Sequence, residues 1–567
     1  MQLFGIGGWD WLTVTVYLLG IVGIGLWTAR RVKDTADFFI GGRRFGKTLM
    51  VFFSFGAGTN GNQAVAVASG SYRGGMSGIW WQWLWLFATP FYWIIAPVFR
   101  RMRAVTTGDY FDMRYGPGVG ALYSVVGILQ LSANMGVMLL GAGTVIKALS
   151  GGAIPIGVAI PSLTALFVFY GVAGGLGAAI ITDFIQGIMT VLLSFMVLPF
   201  ALEAVGGFAG LHEKIADPNM FKIVAPEQLT FFFIAMLALN ATMGIVCQPH
   251  IMGVCAAGRN EMDGRVGFAG GNLLKRVCTV AWMLTGICAV IMYPNLSGEE
   301  VDQSYGLMAR ELLPKVLPGL VGVFLASMLA SVMSSCDAFM VSCSGLWTQN
   351  IYKRYLAPYK DEKHYILVGR IASVVIVAMA LFFAFQFNDV VGGLKVFWKF
   401  SALTAAAFWV GLFWRGSTAA GAWAGTLATF AVWLITGRQF FHVFAVAHLP
   451  AFTIYKGQFL ESWQILSYLS TGIIVTIVVS LFTKRTPEDR LDRLYNCLRT
   501  PVGENEPHLE PFTLPEGVKP GPPNKLIDHP DLEIPKPCLV GMAGFAFFWV
   551  MVFVMIGIVY WIAGLGA

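Results

Sequence analysis

The chain has 567 residues, of which 56% are hydrophobic and only 12% charged, against about 25% charged in a soluble globular protein. So few charges cannot cover a water-facing surface, which excludes a soluble enzyme or binding domain and leaves most of the surface to lipid. The net charge of +7 does not indicate nucleic acid, because the basic residues gather in short loops between apolar runs rather than on one face.

A bilayer crossing needs about 20 largely apolar residues. Fourteen segments qualify: 9–29, 46–71, 77–99, 118–149, 152–172, 175–203, 229–256, 270–294, 316–350, 364–387, 391–413, 416–437, 462–483 and 539–564. The first is too long for a signal-peptide core and lacks a small-residue cleavage site, so it reads as a retained crossing. An even count puts both termini on one side. The loops 30–48, 100–116, 257–277, 351–363, 414–415 and 484–537 carry 27 of the 38 Lys and Arg residues. By the positive-inside rule these loops are cytoplasmic and both termini lie outside the cell membrane. The loop 484–537 is polar and Pro-rich; it reads as a surface helix at 487–498 followed by an extended tether. The eight cysteines, none at metal-ligand spacing, read as reduced packing residues.

Polar interruptions inside these segments carry the chemistry. In the second, Gly56-Ala57-Gly58-Thr59-Asn60-Gly61-Asn62-Gln63 puts three glycines and two asparagines at mid-crossing, and each Gly costs about 1 kcal/mol relative to Ala. Close packing through small residues accounts for the Gly and Ala, but not for Asn60, Asn62 and Gln63. Irregular backbone at this depth needs protein or a wet cavity around it, and its exposed carbonyls can hold a cation. Asp183 lies in the sixth segment. A milder interruption, Asn240-Ala241-Thr242-Met243-Gly244, lies in the seventh, five crossings after the first. In the ninth, Ser331, Ser334, Ser335, Ala338 and Ser342 fall on one helical stripe, whose hydroxyls are hard donors suited to an alkali cation, and Asp337 follows. Charges at such depth mark ion or solute paths. Lys395 and Lys399, four apart in the eleventh segment, share a face, Lys399 about 12 Å into it.

These residues, with Phe39-Ile40-Gly41-Gly42-Arg43, Ser69-Gly70-Ser71-Tyr72, Gly174-Gly175-Leu176, Asn350-Ile351-Tyr352-Lys353-Arg354 and Gly411-Leu412-Phe413-Trp414-Arg415, make the chain resemble the sodium:solute symporter family, which includes sodium/glucose, proline, sialic acid, pantothenate and acetate carriers. The resemblance runs over 9–482. It implies an all-α multi-pass membrane protein with a LeuT-like five-plus-five inverted-repeat core, sodium as a co-transported ion, and uptake of a small polar organic solute by alternating access. The implied organisation is an extra crossing and loop (1–45), a ten-helix core (46–415, repeats 46–203 and 229–413), two accessory crossings (416–483), the polar loop (484–537) and a last crossing (538–567). By matched position the sodium ligands are Gly56, Thr59, Ser331, Ser334 and Ser335. A second cation or proton site falls on Asp183 and Asp337, where Asp337 and Ala338 replace the family's serines. The solute residues that the resemblance implies are Asn60, Asn62, Gln63, Trp81, Gln82, Asn240 and Trp398, to which the depth of its charge adds Lys399. Asn62 stands where sugar carriers place a glutamate, and Gln248-Pro249-His250 resembles pantothenate and acetate carriers.

The implied partners are the solute, sodium and the lipid bilayer, with no nucleic acid and a monomeric chain. A proton-coupled or uncoupled carrier on the same fold, for a monocarboxylate, sugar or amino acid, stays open beside sodium symport. A membrane sensor would need a signalling module that 484–537 does not provide, and no nucleophile–base pair or metal cluster points to an enzyme.

Overall fold

The computed structural model describes residues 2–29, 39, 43, 45–225, 229–437, 448–455, 458–503, 506–507 and 509–567; side chains at 2, 25–26, 28–29, 169–179, 451 and 455 lie outside this description. Residues 40–42 of the first expected motif, and the side chains of Gly174-Gly175-Leu176, are therefore outside it too.

Among the described residues, nine helices are long and apolar enough to cross a membrane. A tenth arises if Phe231–Cys247 and His250–Ala256, bent by 72°, form one crossing. The chain is a mainly helical, multi-pass membrane protein. The remaining expected crossings are helical but shorter or joined. Residues 8–29 form α1, Gly8–Ala29. The second expected crossing divides into α2, Lys47–Gly58, and α3, Gly61–Gly74. The third ends in α4, Thr89–Arg101, followed by the loop helix α5, Thr107–Tyr115. Next come α6, Pro117–Leu149, and α7, Ile156–Met196. Helix α7 contains both the fifth crossing and most of the sixth, since no proline or charge falls between 172 and 182 to end it.

The seventh crossing is broken into α8, Phe231–Gly244, and α9, His250–Ala256. Helix α10, Glu261–Met292, starts nine residues before the expected 270 because Asn260 caps it, its side chain accepting from the Asp263 amide at 2.9 Å. Lys275 and Arg276, read from the sequence as loop residues, therefore sit about 21 Å inside a helix. The serine helix is α11, Leu320–Gly345, continued by a π-helical stretch, Leu346–Leu356. Helices α12 (Glu362–Ala384), α13 (Val390–Leu403), α14 (Ala405–Phe413), α15 (Ala419–Thr436) and α16 (Glu461–Leu481) follow.

Burial sorts these helices. The apolar windows of α6 and α11 are 83% and 89% buried, whereas that of the last helix, α18 (Leu539–Ala563), is 22% buried. The first two are therefore the centre of the bundle and the last is a lipid-facing column against α4. The broken pair α2–α3 is wedged between α7, α10 and α11. This places its unwound residues at the heart of the protein.

The described residues between 484 and 538 behave differently from a tether. Helix α17, Glu488–Arg499, is followed by chain that is pinned at intervals. The Phe512 amide donates to Met102 O (3.0 Å), the Glu533 amide to Phe413 O (2.8 Å) and the Arg415 amide to Asp531 O (2.8 Å). Glu533 gathers Arg415 at 2.6 Å, Lys525 at 3.2 Å and Arg499, and Glu506 takes Arg103 at 2.8 Å. Acidic residues spaced along a Pro-rich segment thus find fixed cations at the helix ends. On the same face Asn350 donates to Asp109 (2.8 Å) and accepts from Thr106 (2.6 Å), which ties the π-helical stretch to α5. All eight cysteines are free, and seven are buried.

Candidate ion and solute site

Helix α2 ends where Thr59 (φ −128°, ψ 121°) and Asn60 (φ −144°, ψ 163°) turn to extended backbone, and α3 resumes at Gly61. The two-residue gap lies inside the glycine- and asparagine-rich run noted in the sequence. It is held from α11. Ser335 Oγ donates to Gly56 O at 2.8 Å and receives the Asn60 amide at 3.4 Å. The Gly61 N–H donates to Ser331 Oγ at 3.0 Å, and Ser331 donates to Met328 O at 2.8 Å. One position away, Ser334 Oγ donates to Asp183 Oδ1 at 2.5 Å, bringing α7 into the group. A Cβ on Gly56 would stand 2.7 Å from Ser334 Oγ, so only glycine lets the strand of carbonyls approach the serine stripe this closely.

Thr59 Oγ1 and Asp183 Oδ2 are buried without a hydrogen-bond partner among the described residues. Gly56, Thr59, Ser331, Ser334 and Ser335 are thus assembled around one break, and every donor there is a hard oxygen of the kind alkali cations take. Asp337, 3% exposed, lies one turn along. On α7, Gln186, three residues after Asp183, donates to the Tyr17 hydroxyl of α1 at 3.1 Å. Tyr17 had no signal in the sequence beyond its place in an apolar run.

The other flank of the break faces a cavity. Here Gly58 O, at the C-terminal end of α2, accepts from Gln63 Nε2 at 3.1 Å and from Lys275 Nζ at 2.5 Å. A cation at this end is favoured by the helix dipole, and Lys275 also lies 5.4 Å from the centre of the Trp85 ring. Asn60 and Gln63 line the cavity together with His250, Asn134 and Gln248. Lys275 is the cavity residue that the sequence analysis did not single out. The cap at Asn260 was the available signal, since it moves the helix start far enough upstream to bury the lysine.

Beside the cavity, Trp81 stacks on Trp398 (6.1 Å, 16°) and Trp85 meets Trp398 edge-on (5.8 Å). Lys395 lies 5.0 Å from the Trp81 ring centre. Lys395 and Lys399 share Glu461 of α16 at 2.7 and 3.4 Å. Asn240 donates to Trp398 O at 3.5 Å and accepts from Tyr468 at 2.7 Å. Of the eight expected solute residues, Asn60 and Gln63 line the cavity, while Trp81, Asn240, Trp398 and Lys399 form this adjoining cluster. Asn62 and Gln82 are not among the lining residues. Asn62 faces α6, where a Cβ on Gly141 would lie 2.5 Å from its own. Gln82 offers its backbone oxygen to Arg276 at 2.9 Å, with its side-chain amide buried and unpartnered.

The sequence profile "SSF: Sodium:solute symporter family" matches residues 38–429. The chain is 25% identical over 459 residues to the sodium/glucose cotransporter of Vibrio parahaemolyticus, covering 74% of this chain and 83% of that one. It is 25% identical over 435 residues to the sodium/pantothenate symporter of Haemophilus influenzae, covering 72% and 87%. Its fold is similar to that of a Na+-coupled sialic acid symporter solved in a substrate-bound outward-open state, with a TM-score of 0.71 at 16% identity over 85% of this chain and 99% of that one. It also resembles a nucleobase-cation-symport-1 family transporter, with a TM-score of 0.51 at 12% identity over 80% and 96%. Two-thirds of the chain lies within the profile match, and the chain belongs to the sodium:solute symporter family.

Proposed function

We propose that this transporter carries a small polar organic solute into the cell together with sodium, by alternating access about the break between α2 and α3. The observation that carries the reading is the meeting of Gly56 O, Ser331, Ser334, Ser335 and Asp183 around two unwound residues. That group supplies only oxygen donors, next to a buried carboxylate, which suits a monovalent cation rather than a polar solute. The adjoining cavity supplies amides and a cation, which suits the solute. A sodium site and a solute site sharing one hinge gives a physical route to coupling, because each ligand favours the same arrangement of α2 and α3.

The broken pairs α2–α3 and α8–α9 support a five-plus-five repeat over 46–203 and 229–413, and the basic loops support termini outside the cell. In this reading Trp81, Trp398, Lys395, Lys399 and Glu461 form the gate on the outer side of the cavity. The pairing of Lys399 with Glu461 favours that role over direct solute contact.

The test is uptake into proteoliposomes of labelled sugars, amino acids and carboxylates under an inward sodium gradient, with choline as control. Accumulation of one class only under the sodium gradient is expected, and equal uptake in choline would overturn the coupling. A proton-coupled carrier is the second reading, favoured by the burial of two acids, Asp183 and Asp337, at the serine stripe. Uptake that follows an imposed pH gradient in sodium-free buffer would select it.

A further inference from the structure

The cavity beside the break has an unbalanced charge. Lys275 and Arg276 are 5% and 0% exposed, and His250, on the same wall, is 6% exposed. Among the described residues that line it there is no Asp or Glu. Lys275 has a backbone carbonyl and an indole face for company, and neither carries a full negative charge. Arg276 donates to Gln82 O, while its Nε, like His250 Nδ1, is buried without a partner. The buried acid Asp183 meets α2 at Gly56, is engaged by Ser334, and does not line the cavity. Buried cations are normally paired, because removing them from water without a counter-charge is costly. Here the described lining residues supply the cations and no counter-charge.

We infer that the solute is a small organic carboxylate whose charged end meets Lys275, with its apolar remainder against Ile245, Phe339 and Phe397 on the same wall. This deepens the proposed function and rests on its assignment of the cavity to the solute. The cavity discriminates among the three solute classes by charge. A neutral sugar would leave the Lys275 ammonium uncompensated. An amino acid would bring its own ammonium, for which no carboxylate waits. A carboxylate alone completes the set, and the free amide hydrogens of Asn60 and Gln63 at the break can serve its second oxygen. Entry of such an anion with sodium also delivers the pair into the protein with little net charge.

The test uses the purified full-length chain in nanodiscs and reads its thermal unfolding midpoint, with and without sodium. The probes are acetate, propionate, lactate and benzoate, each beside its own amide, with alanine, proline and glucose as the other classes. At least one acid is expected to raise the midpoint in sodium where its amide does not. Lys275→Met should weaken that acid at least tenfold while the midpoint shift with sodium alone persists, showing a folded protein. Lys275→Arg should keep the preference for acid over amide. An acid no better than its amide, stabilisation by alanine, proline or glucose instead, or no response to any acid overturns the carboxylate assignment and leaves sodium symport standing. Acid binding that needs no sodium does the reverse: the assignment stands and the coupling fails.

Discussion

Ser335 Oγ donates to Gly56 O across 2.8 Å, so the hydroxyl stripe of α11 is fastened directly to the last carbonyls of the first half-helix. If these oxygens hold sodium, removing the hydroxyls takes ligands from the ion, and neither serine lines the solute cavity. The Ser334→Ala/Ser335→Ala protein should need at least tenfold more sodium for half-maximal uptake, about 1.4 kcal/mol of ion affinity. Gly56→Ala should act in the same direction, since its Cβ would meet Ser334 Oγ at 2.7 Å. Sodium titrations of uptake in the folded variants measure this, and an unchanged half-saturation would remove the serines from the ion site.

Asp183 and Asp337 are both buried, the first accepting from Ser334 and the second lying one turn further along the serine helix. Two carboxylates in a dry site resist ionising together unless a cation joins them. Sodium and protons should therefore compete there, and transport should respond to pH. Asp337→Ser leaves one acid and should flatten that response, whereas Tyr17→Phe should shift it without abolishing uptake. Sodium-driven uptake followed across the mildly acidic to mildly basic range reports both, and superimposable profiles in wild type and Asp337→Ser would restrict Asp337 to a structural part.

The break at 59–60 and the serine stripe were legible because both violate local rules: glycine and asparagine at mid-crossing, and hydroxyls in lipid register. Lys275 was not legible, for the opposite reason. A basic residue near a predicted loop fits the positive-inside pattern, so nothing marked it as buried until the Asn260 cap moved the helix start to Glu261. The pairing of Lys395 and Lys399 with Glu461 was equally hidden, since it joins residues more than sixty positions apart on α13 and α16. The pinned course of 484–538 was missed because composition alone reads a Pro-rich polar segment as free chain. Its order comes from ion pairs with distant helix ends, which no local pattern reports.

Glu461 carries two lysines, at 2.7 and 3.4 Å, with all three side chains no more than 32% exposed. Glu461→Gln leaves both ammonium groups beside Trp81 and Trp398 without their shared anion. A loss of about 2 kcal/mol of stability is expected, the scale of a hydrogen bond to a charged group, and Lys399→Met in the Glu461→Gln background should recover part of it. Thermal unfolding of the single and double variants forms the cycle. If Lys399 serves the gate, the double variant should bind solute nearly as wild type does; a large loss of solute affinity would return Lys399 to the solute site.

Glu533 holds the strap between α17 and α18 through Arg415, Arg499 and Lys525. Burial pushes its carboxyl up, but the hydrogen bonds and charges of Arg499 and Arg415 outweigh this and hold it below the usual glutamate range. A carboxyl lowered by folding stabilises the fold above its unfolded pKa, about 4.3, and that contribution disappears as pH falls through the lower folded value. The strap should therefore stay fastened at neutral pH and loosen only in acid below about pH 4. Glu533→Gln removes the charge at any pH and should loosen it at neutrality, by about 2 kcal/mol. Hydrogen exchange at the Arg415 and Glu533 amides, which donate to Asp531 O and Phe413 O, reads the fastening directly. Faster exchange of both amides at neutral pH in Glu533→Gln, matched by wild type only in acid, is the expected result; protection equal to wild type would mean that the backbone bonds hold the strap without the anion.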